Sequence, residues 1–570
     1  MEEASLKDLL LNPGIFLLLS SILLYISKYI KDCRVFNILA IIIPIVAILI
    51  LFLQPSNTYW YNFYGLWQVS FEYSFLNKVV CISILLCSVF INISVWHSYN
   101  YQNIIFSIIY MGSSIIAILS IDFLTSACSF ELMTLTATII IYNQVNELQI
   151  EAAYRYLIVH FFSGSLILAG GIILTELNGF QIVQLTNLLQ DFKQSWLTLG
   201  GALILLGLLI NIACPPFSSW LIDSYSVSNA VGSAYLSILT SKVSLIWILK
   251  LFLGLEILTV IGIFIAIFGV VYSILENNIK RSFCYLSISK FGVILIPMGF
   301  NNVNLPLIII ALCASHILYQ SFIMLMYGWL HEKYQITYFT DFNNKIIAID
   351  FMLVIGLSYS LASLFSIPFF SSYYVKLALG QYFYTESYNI YSLINIITAS
   401  QILFIPWLQI FKNIKIIQNN RFVTILDDHK IVYINKMESV TVLSFIVINL
   451  VSHYFLLPSV LIKVTPPSLI QILQQTVIII AGFVSFYIVN PQKTFNQLLL
   501  PESILYKNIY KLINLFDKYV YINLQKFNLE NFINLVRLSK NNLLADHIVS
   551  TSLTILILSI LIIVDISKMF

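Results

Sequence analysis

The chain has 570 residues, of which 59% are hydrophobic and only 10% charged, far from the roughly 25% charged residues of an ordinary soluble domain. Its formal net charge of +3 is too small to imply a nucleic-acid or polyanion partner. Soluble enzymes and nucleic-acid binders are therefore excluded, and a polytopic membrane protein is left.

Apolar runs of about 20 residues, the length that crosses a bilayer as a helix, fall near 13–30, 35–53, 77–96, 104–121, 122–143, 154–175, 197–214, 228–252, 256–275, 283–300, 305–329, 347–377, 386–411, 438–458, 469–490 and 549–568. The first, Ile15 to Ile26, follows Glu2, Glu3 and Asp8 and lacks a basic lead-in and a small-residue cleavage site, so it reads as a retained span and not as a signal peptide. Charge alternates with this count. Loops after odd-numbered spans hold Lys28, Lys31 and Arg34, then Arg155, Lys280 and Arg281, Lys333 and Lys345, and finally Lys412, Lys415, Arg421, Lys430 and Lys436. The positive-inside bias then puts the N-terminus outside and the basic loops in the cytoplasm.

The stretch Leu209 to Lys250 organises the chain. A long apolar helix runs into Pro215-Pro216, which cannot donate backbone hydrogen bonds, so the helix must break in or near the membrane. Beyond a polar patch of Ser218, Ser219 and Asp223, a second apolar helix carries Lys242 among Leu239, Val243, Leu245 and Ile246. Broken helices of this kind mark ion or substrate paths. The Ser233, Ser237, Thr240 and Ser244 stripe falls on the face opposite Lys242 and reads as helix packing. Five spans later the break is echoed: Pro216-Phe217-Ser218-Ser219-Trp220 is answered by Pro368-Phe369-Phe370-Ser371-Ser372-Tyr373, with Lys376 just beyond. An odd offset inverts the second unit in the membrane.

Seven cysteines, without CxxC spacing, and no glycine fingerprint on a strand-turn-helix argue against a metal site, an iron-sulfur cluster or a redox cofactor. No cofactor or catalytic residue is expected. Residues Pro491 to His547 mix Lys507, Lys511, Lys518, Lys526, Arg537 and Lys540 with apolar residues, the pattern of amphipathic helices on a membrane or subunit surface or of a solvated helical linker.

Between Ser120 and Leu379 these features together resemble the antiporter-like proton-translocating subunits shared by respiratory complex I and Mrp-type Na+/H+ antiporters. The likeness rests on Phe130-Glu131-Leu132-Met133, Pro216-Phe217-Ser218-Ser219-Trp220-Leu221, Leu239-Thr240-Ser241-Lys242-Val243, the run from Lys280 to Ser289, His316, and Ser363 to Lys376. It implies an all-α polytopic fold of about 14–16 transmembrane helices with two inverted five-helix repeats, each with a proline-broken helix. The expected divisions are N-terminal helices over 1–103, repeats over 104–253 and 254–411, C-terminal helices over 412–490, an amphipathic segment over 491–548 and a terminal helix over 549–570.

A charge at the bilayer centre costs roughly 2.5–3.5 kcal/mol on insertion scales, so intramembrane ionisable residues face a partner or a wet path. Glu131, with Cys128, Thr134 and Thr138 on its helix face, is by resemblance the carboxylate that tunes the proton-carrying Lys242. His316 shares a face with Tyr319 and Gln320 and could relay protons or simply join two helices. Lys376 is, by resemblance, the exit-side carrier. Two positions depart from the family: Asn211 and Gln320 stand where lysines are usual. Either Glu131 is then neutral at rest, or His160 in the next span replaces the missing cation.

The expected function is a proton-translocating membrane subunit of a multisubunit monovalent cation/H+ antiporter. Within that class it looks like the D-type subunits of Mrp antiporters, through the tail entry Leu499-Leu500-Pro501 and the run Phe516 to Tyr519. The alternatives are a proton-pumping membrane-arm subunit of complex I and a non-conducting structural subunit. Expected partners are other membrane subunits of a hetero-oligomer, the lipid bilayer, H+ and, in the antiporter reading, Na+. The expected location is a bacterial inner membrane.

Overall fold

The computed structural model describes residues 2–3, 11–29, 33–63, 67–96, 101–142, 147–178, 195–338, 341, 347–367, 370–402, 414–417 and 436–447. All lie in the first of two compact units, Met1–Tyr487 and Ile488–Phe570. The spans expected at 469–490 and 549–568 and the amphipathic segment 491–548 lie outside the described residues.

The chain is helical: α1 Pro13–Ser27, α2 Cys33–Leu53, α3 Phe75–Ser94, α4 Tyr101–Leu119, α5 Phe123–Tyr142, α6 Glu147–Asn178, α7 Ser195–Asn211, α8 Ser219–Val227, α9 Ala230–Leu236, α10 Thr240–Phe252, α11 Ile257–Leu275, α12 Ile279–Leu295, α13 Leu305–Tyr334, α14 Phe351–Leu364, α15 Ser371–Glu386 and α16 Tyr388–Ile402. A further helix, α17, covers 436–447. Every predicted span up to 386–411 overlaps one of these helices or a consecutive set, although Ile347–Asp350 of the span 347–377 forms a strand and residues 368–369 and 403–411 lie outside the described residues. Among the described residues, nine helices are long and apolar enough to cross a membrane, and α1 and α14 are shorter apolar helices.

Local chemistry explains the helix starts. Asn12 accepts from the backbone N–H of Gly14 and Ile15 at the head of α1, with Pro13 in the first helical turn. Ser74, Asn229, Asn278 and Asp350 cap α3, α9, α12 and α14 in the same way. Two small sheets, which apolar runs do not signal, accompany the helices. One joins β1 Glu2–Glu3, β2 Thr58–Phe63 and β3 Trp67–Glu72, and the other pairs β4 Ile347–Asp350 with β5 Ile414–Ile417. The β2–β3 hairpin is pinned to the start of α5 by Asp122: one carboxylate oxygen accepts from Ser70 N at 3.0 Å and the other from Thr125 N at 2.7 Å. That bond fixes the end of the helix that carries Glu131.

Helices approach closely where glycine faces backbone. Gly262 and Gly269 of α11 lie against the backbone of Ile296 and Ser289, and Gly292 of α12 lies against the backbone of Ala266. No side chain fits there, so α11 and α12 are locked together.

At one end of the bundle the basic loops converge. Asp223 of α8 forms ion pairs with Arg155 of α6 and with Arg281 of α12, and Arg281 also meets Glu276 at 3.2 Å. Lys333 at the end of α13 pairs with Glu438 of α17. Asp223 thus joins Arg155 and Arg281, two of the basic residues that the charge alternation assigned to one side.

Candidate functional site

Two interruptions build the site. α7 ends at Asn211, and the chain turns through Pro215-Pro216 before α8, as the prolines require. It then breaks again, between Leu236 and Thr240, where no proline stands. Backbone groups freed in a buried helix break each cost about 1–3 kcal/mol if left unpaired, and here side chains supply partners. Tyr225 OH donates to Leu236 O at 2.6 Å, Thr240 N donates to Tyr110 OH at 3.2 Å, and Lys242 Nζ donates to Ser237 O. Lys242 is 1% exposed and also lies 3.4 Å from Ser241 Oγ. The hydroxyls of the stripe do not bond Lys242: those of Ser233, Ser237 and Ser244 donate to backbone carbonyls of Ala230, Ala234 and Thr240, and Ser237 meets Lys242 only through its own carbonyl. Thr240 joins helices as the stripe predicts, its hydroxyl bonding Tyr110 OH of α4 and Tyr156 OH of α6, the latter at 2.8 Å.

The far end of α10 is held to α4. Trp247 Nε1 donates to Ala117 O at 2.9 Å and Lys250 Nζ to Ile118 O at 2.5 Å. Lys242 thus sits between a latched break and an anchored helix end.

The second interruption separates α14 from α15. Ser366 takes a left-handed backbone with φ 54°, and Ser372 Oγ donates to the freed Ser363 O at 2.5 Å. Pro368 itself lies outside the described residues. Lys376, in the second turn of α15, is buried and lines a cavity of about 30 Å³ with Lys290, Ser315, His316, Tyr319, Ser366 and Ser372. That volume admits one or two water molecules. His316 is 1% exposed, and neither ring nitrogen has a hydrogen-bond partner among the described residues. A buried imidazole without a protein partner needs water in such a cavity.

Lys290 is a residue that the sequence reading missed. Its signal was the one that revealed Lys242, a lysine well inside a predicted span, here 283–300. Phe291, next to it, turns the other way: its ring lies 4.5 Å from Lys242 Nζ and 5.5 Å from the His316 ring, perpendicular to the latter at 83°.

The remaining predicted residues sit apart. Gln320 reaches Ser287 Oγ of α12 at 2.5 Å instead of the cavity. Glu131, half-buried in α5, abuts Gly164 of α6 and makes no hydrogen bond or ion pair to Lys242. One turn along α6 from Gly164, His160 Nδ1 lies 2.8 Å from Asn211 Oδ1, which also accepts from Ser163 Oγ at 2.6 Å. The His160 ring is packed between Tyr156 and Trp220, with centroids at 4.1 and 4.4 Å. His160 and Asn211 therefore meet directly, near Glu131 along α6 and away from the cavity.

Residues 120–402 match the family described as NADH:quinone oxidoreductase/Mrp antiporter, transmembrane. A curated relative, NADH-quinone oxidoreductase subunit N of Wolbachia sp. subsp. Brugia malayi (strain TRS), is 22% identical over 304 residues, 50% of this chain and 64% of that protein. The match thus spans less than two thirds of that relative's length. Among solved structures, a chain of the Mrp complex from Dietzia sp. DQ12-45-1b superposes with a TM-score of 0.68 at 13% identity, covering 79% of this chain and 96% of that one. A chain of respiratory complex I from Thermus thermophilus with bound aureothin superposes with a TM-score of 0.62 at 14% identity, covering 79% and 98%.

Proposed function

Since this chain belongs, through residues 120–402, to the NADH:quinone oxidoreductase/Mrp antiporter transmembrane family, we propose that it is a proton-translocating subunit of a membrane assembly of the NADH-quinone oxidoreductase type. The observation that carries the reading is the row of buried bases. Lys242, Lys290, His316 and Lys376 lie inside the helical body, next to two helix breaks, and the last three share one cavity. Bases sunk in a membrane interior are costly and rare, and they mark proton routes. Protons enter at the first break, load Lys242, pass His316 and Lys290, and leave through Lys376.

The relatives weigh against a D-type Mrp component and towards the complex I alternative, since they bear the name NADH-quinone oxidoreductase subunit N. The fold likeness to the Mrp complex keeps a cation/H+ antiporter as the second reading. Membrane partner subunits, a bacterial inner membrane, an outer N-terminus and two inverted five-helix units over 104–253 and 254–411 belong to the same proposal. Purification under mild detergent separates the branches: co-purifying quinone-reducing subunits support the first, small hydrophobic antiporter subunits and Na+ sensitivity on deletion the second.

Asn211 and Gln320 leave a third reading, a scaffold that has lost conduction. Proton flux measured in membrane vesicles carrying Glu131→Ala and Lys242→Ala decides it. Loss of flux supports conduction, and flux unchanged by both substitutions supports the scaffold.

A further inference from the structure

The cavity shared by Lys290, His316 and Lys376 does not reach Lys242. Neither Lys242 nor Phe291 lines it. The Phe291 ring, fully buried, touches both sides of this gap: the Lys242 ammonium lies over it at 4.5 Å, and the ring of His316, which lines the cavity, is perpendicular to it at 5.5 Å. An aromatic face attracts a cation without accepting its proton. A ring in this position contacts the Lys242 amine without offering it a hydrogen-bonded route onward.

The backbone that carries the ring is fixed. Gly292, the next residue, packs against the backbone of Ala266, and Gly262 lies against Ile296 N just past α12, so α12 cannot move towards α11 without overlap. Movement at this point is left to the Phe291 side chain. His316 has two ring nitrogens unpartnered among the described residues and lines a cavity with room for water.

We propose that Phe291 is the gate between the two halves of the proton path: its ring separates Lys242 from His316 and must turn aside for each transfer. This rests on the proton-translocating reading above. When the ring turns, water from the cavity reaches Lys242. An N–H bond at Lys242 Nζ breaks and one at a His316 ring nitrogen forms, leaving a neutral amine and an imidazolium, with no electron transferred. When the ring returns, the proton cannot go back, which makes transfer stepwise.

The test uses inverted membrane vesicles containing the full chain in its native assembly, with passive proton conductance read under an imposed potential and no driving reaction. Phe291→Ala is expected to raise that conductance about tenfold or more, the change that follows from losing a modest barrier. The leak should vanish when Lys242→Met is added, because the opened route begins on that amine. Phe291→Leu, which stays apolar and leaves a smaller gap than alanine, is expected to leak less, with the same dependence on Lys242. A tight membrane in both variants overturns the gate. So does a leak that survives Lys242→Met, which marks a general packing defect. Lys242→Met in the otherwise unaltered chain distinguishes the two levels: if it leaves driven flux intact, the proton-translocating reading itself fails.

Discussion

Lys242 donates its side-chain N–H to the carbonyl oxygen of Ser237, five residues earlier, across the break between α9 and α10. The amine therefore caps a buried backbone group as well as standing on the proposed proton path. These roles separate by substitution. Lys242→Met is expected to abolish flux and to lower stability by about 1–3 kcal/mol, the cost of an unpaired buried carbonyl. Lys242→Arg keeps a donor for the carbonyl but holds its proton permanently, so it should recover thermal stability without recovering flux. An arginine variant that conducts normally would contradict the proposed role of Lys242.

The hydroxyls of Tyr110 and Tyr156 meet on Thr240, the first residue of α10. Tyr110→Phe also strips Thr240 N of its acceptor and is expected to cost about 1–2 kcal/mol, more than Tyr156→Phe. Because both act on one hydroxyl, the double variant should depart from additivity by at least about 0.5 kcal/mol. Thermal unfolding of the purified chain in detergent measures this, and additive losses would show that the three hydroxyls do not act as a network.

The membrane spans were legible because a bilayer imposes one length and one polarity on every helix. The Leu236–Thr240 break was not, because nothing in Leu236-Ser237-Ile238-Leu239 resembles a helix breaker. It is held open by Tyr225 from helix α8 and by Tyr110, 130 residues before Thr240, and no local pattern encodes such partners. Lys242, Lys376, His316 and Glu131 stood out as ionisable residues in apolar runs. Lys290 carried the same signal inside the predicted span 283–300 and was passed over because no helix break stands beside it in the sequence. The meeting of His160 with Asn211 was open to a guess only because one lacked an expected charge and the other was a candidate to supply it.

Glu131 lies against Gly164, where an added methyl would overlap the carboxylate. The overlapping atoms are the far end of a flexible side chain, so Gly164→Ala should fold with little loss of stability. The carboxylate must nevertheless move. Driven proton flux is expected to fall several-fold, in the same direction as Glu131→Ala but less far. Vesicle measurements with unchanged flux in both variants would remove Glu131 from the path.

Lys290 and Lys376 line one cavity and act in series in the proposed route. Each should therefore block it alone. Lys290→Met and Lys376→Met are each expected to reduce flux by about tenfold or more, and the double variant should be no slower than the slower single one, because steps that act as a unit are not additive. If the two losses multiply instead, the lysines serve separate routes.

Asn211 Oδ1 accepts from Ser163 Oγ and faces His160 Nδ1. With that oxygen as acceptor, His160 carries its proton on Nδ1, and Nε2, buried and unpartnered among the described residues, is left to take a second one. Protonation there puts a positive charge on α6 one turn from Gly164, against which Glu131 rests, without breaking the Asn211 bond. His160→Gln keeps a polar side chain of similar size between Tyr156 and Trp220 while removing the titration, and it should flatten the pH profile of driven flux. Asn211→Leu removes the acceptor that fixes the tautomer and should displace the same profile without abolishing flux. If His160→Gln and His160→Ala both leave the profile as it was, the charge that works with Glu131 does not reside on His160.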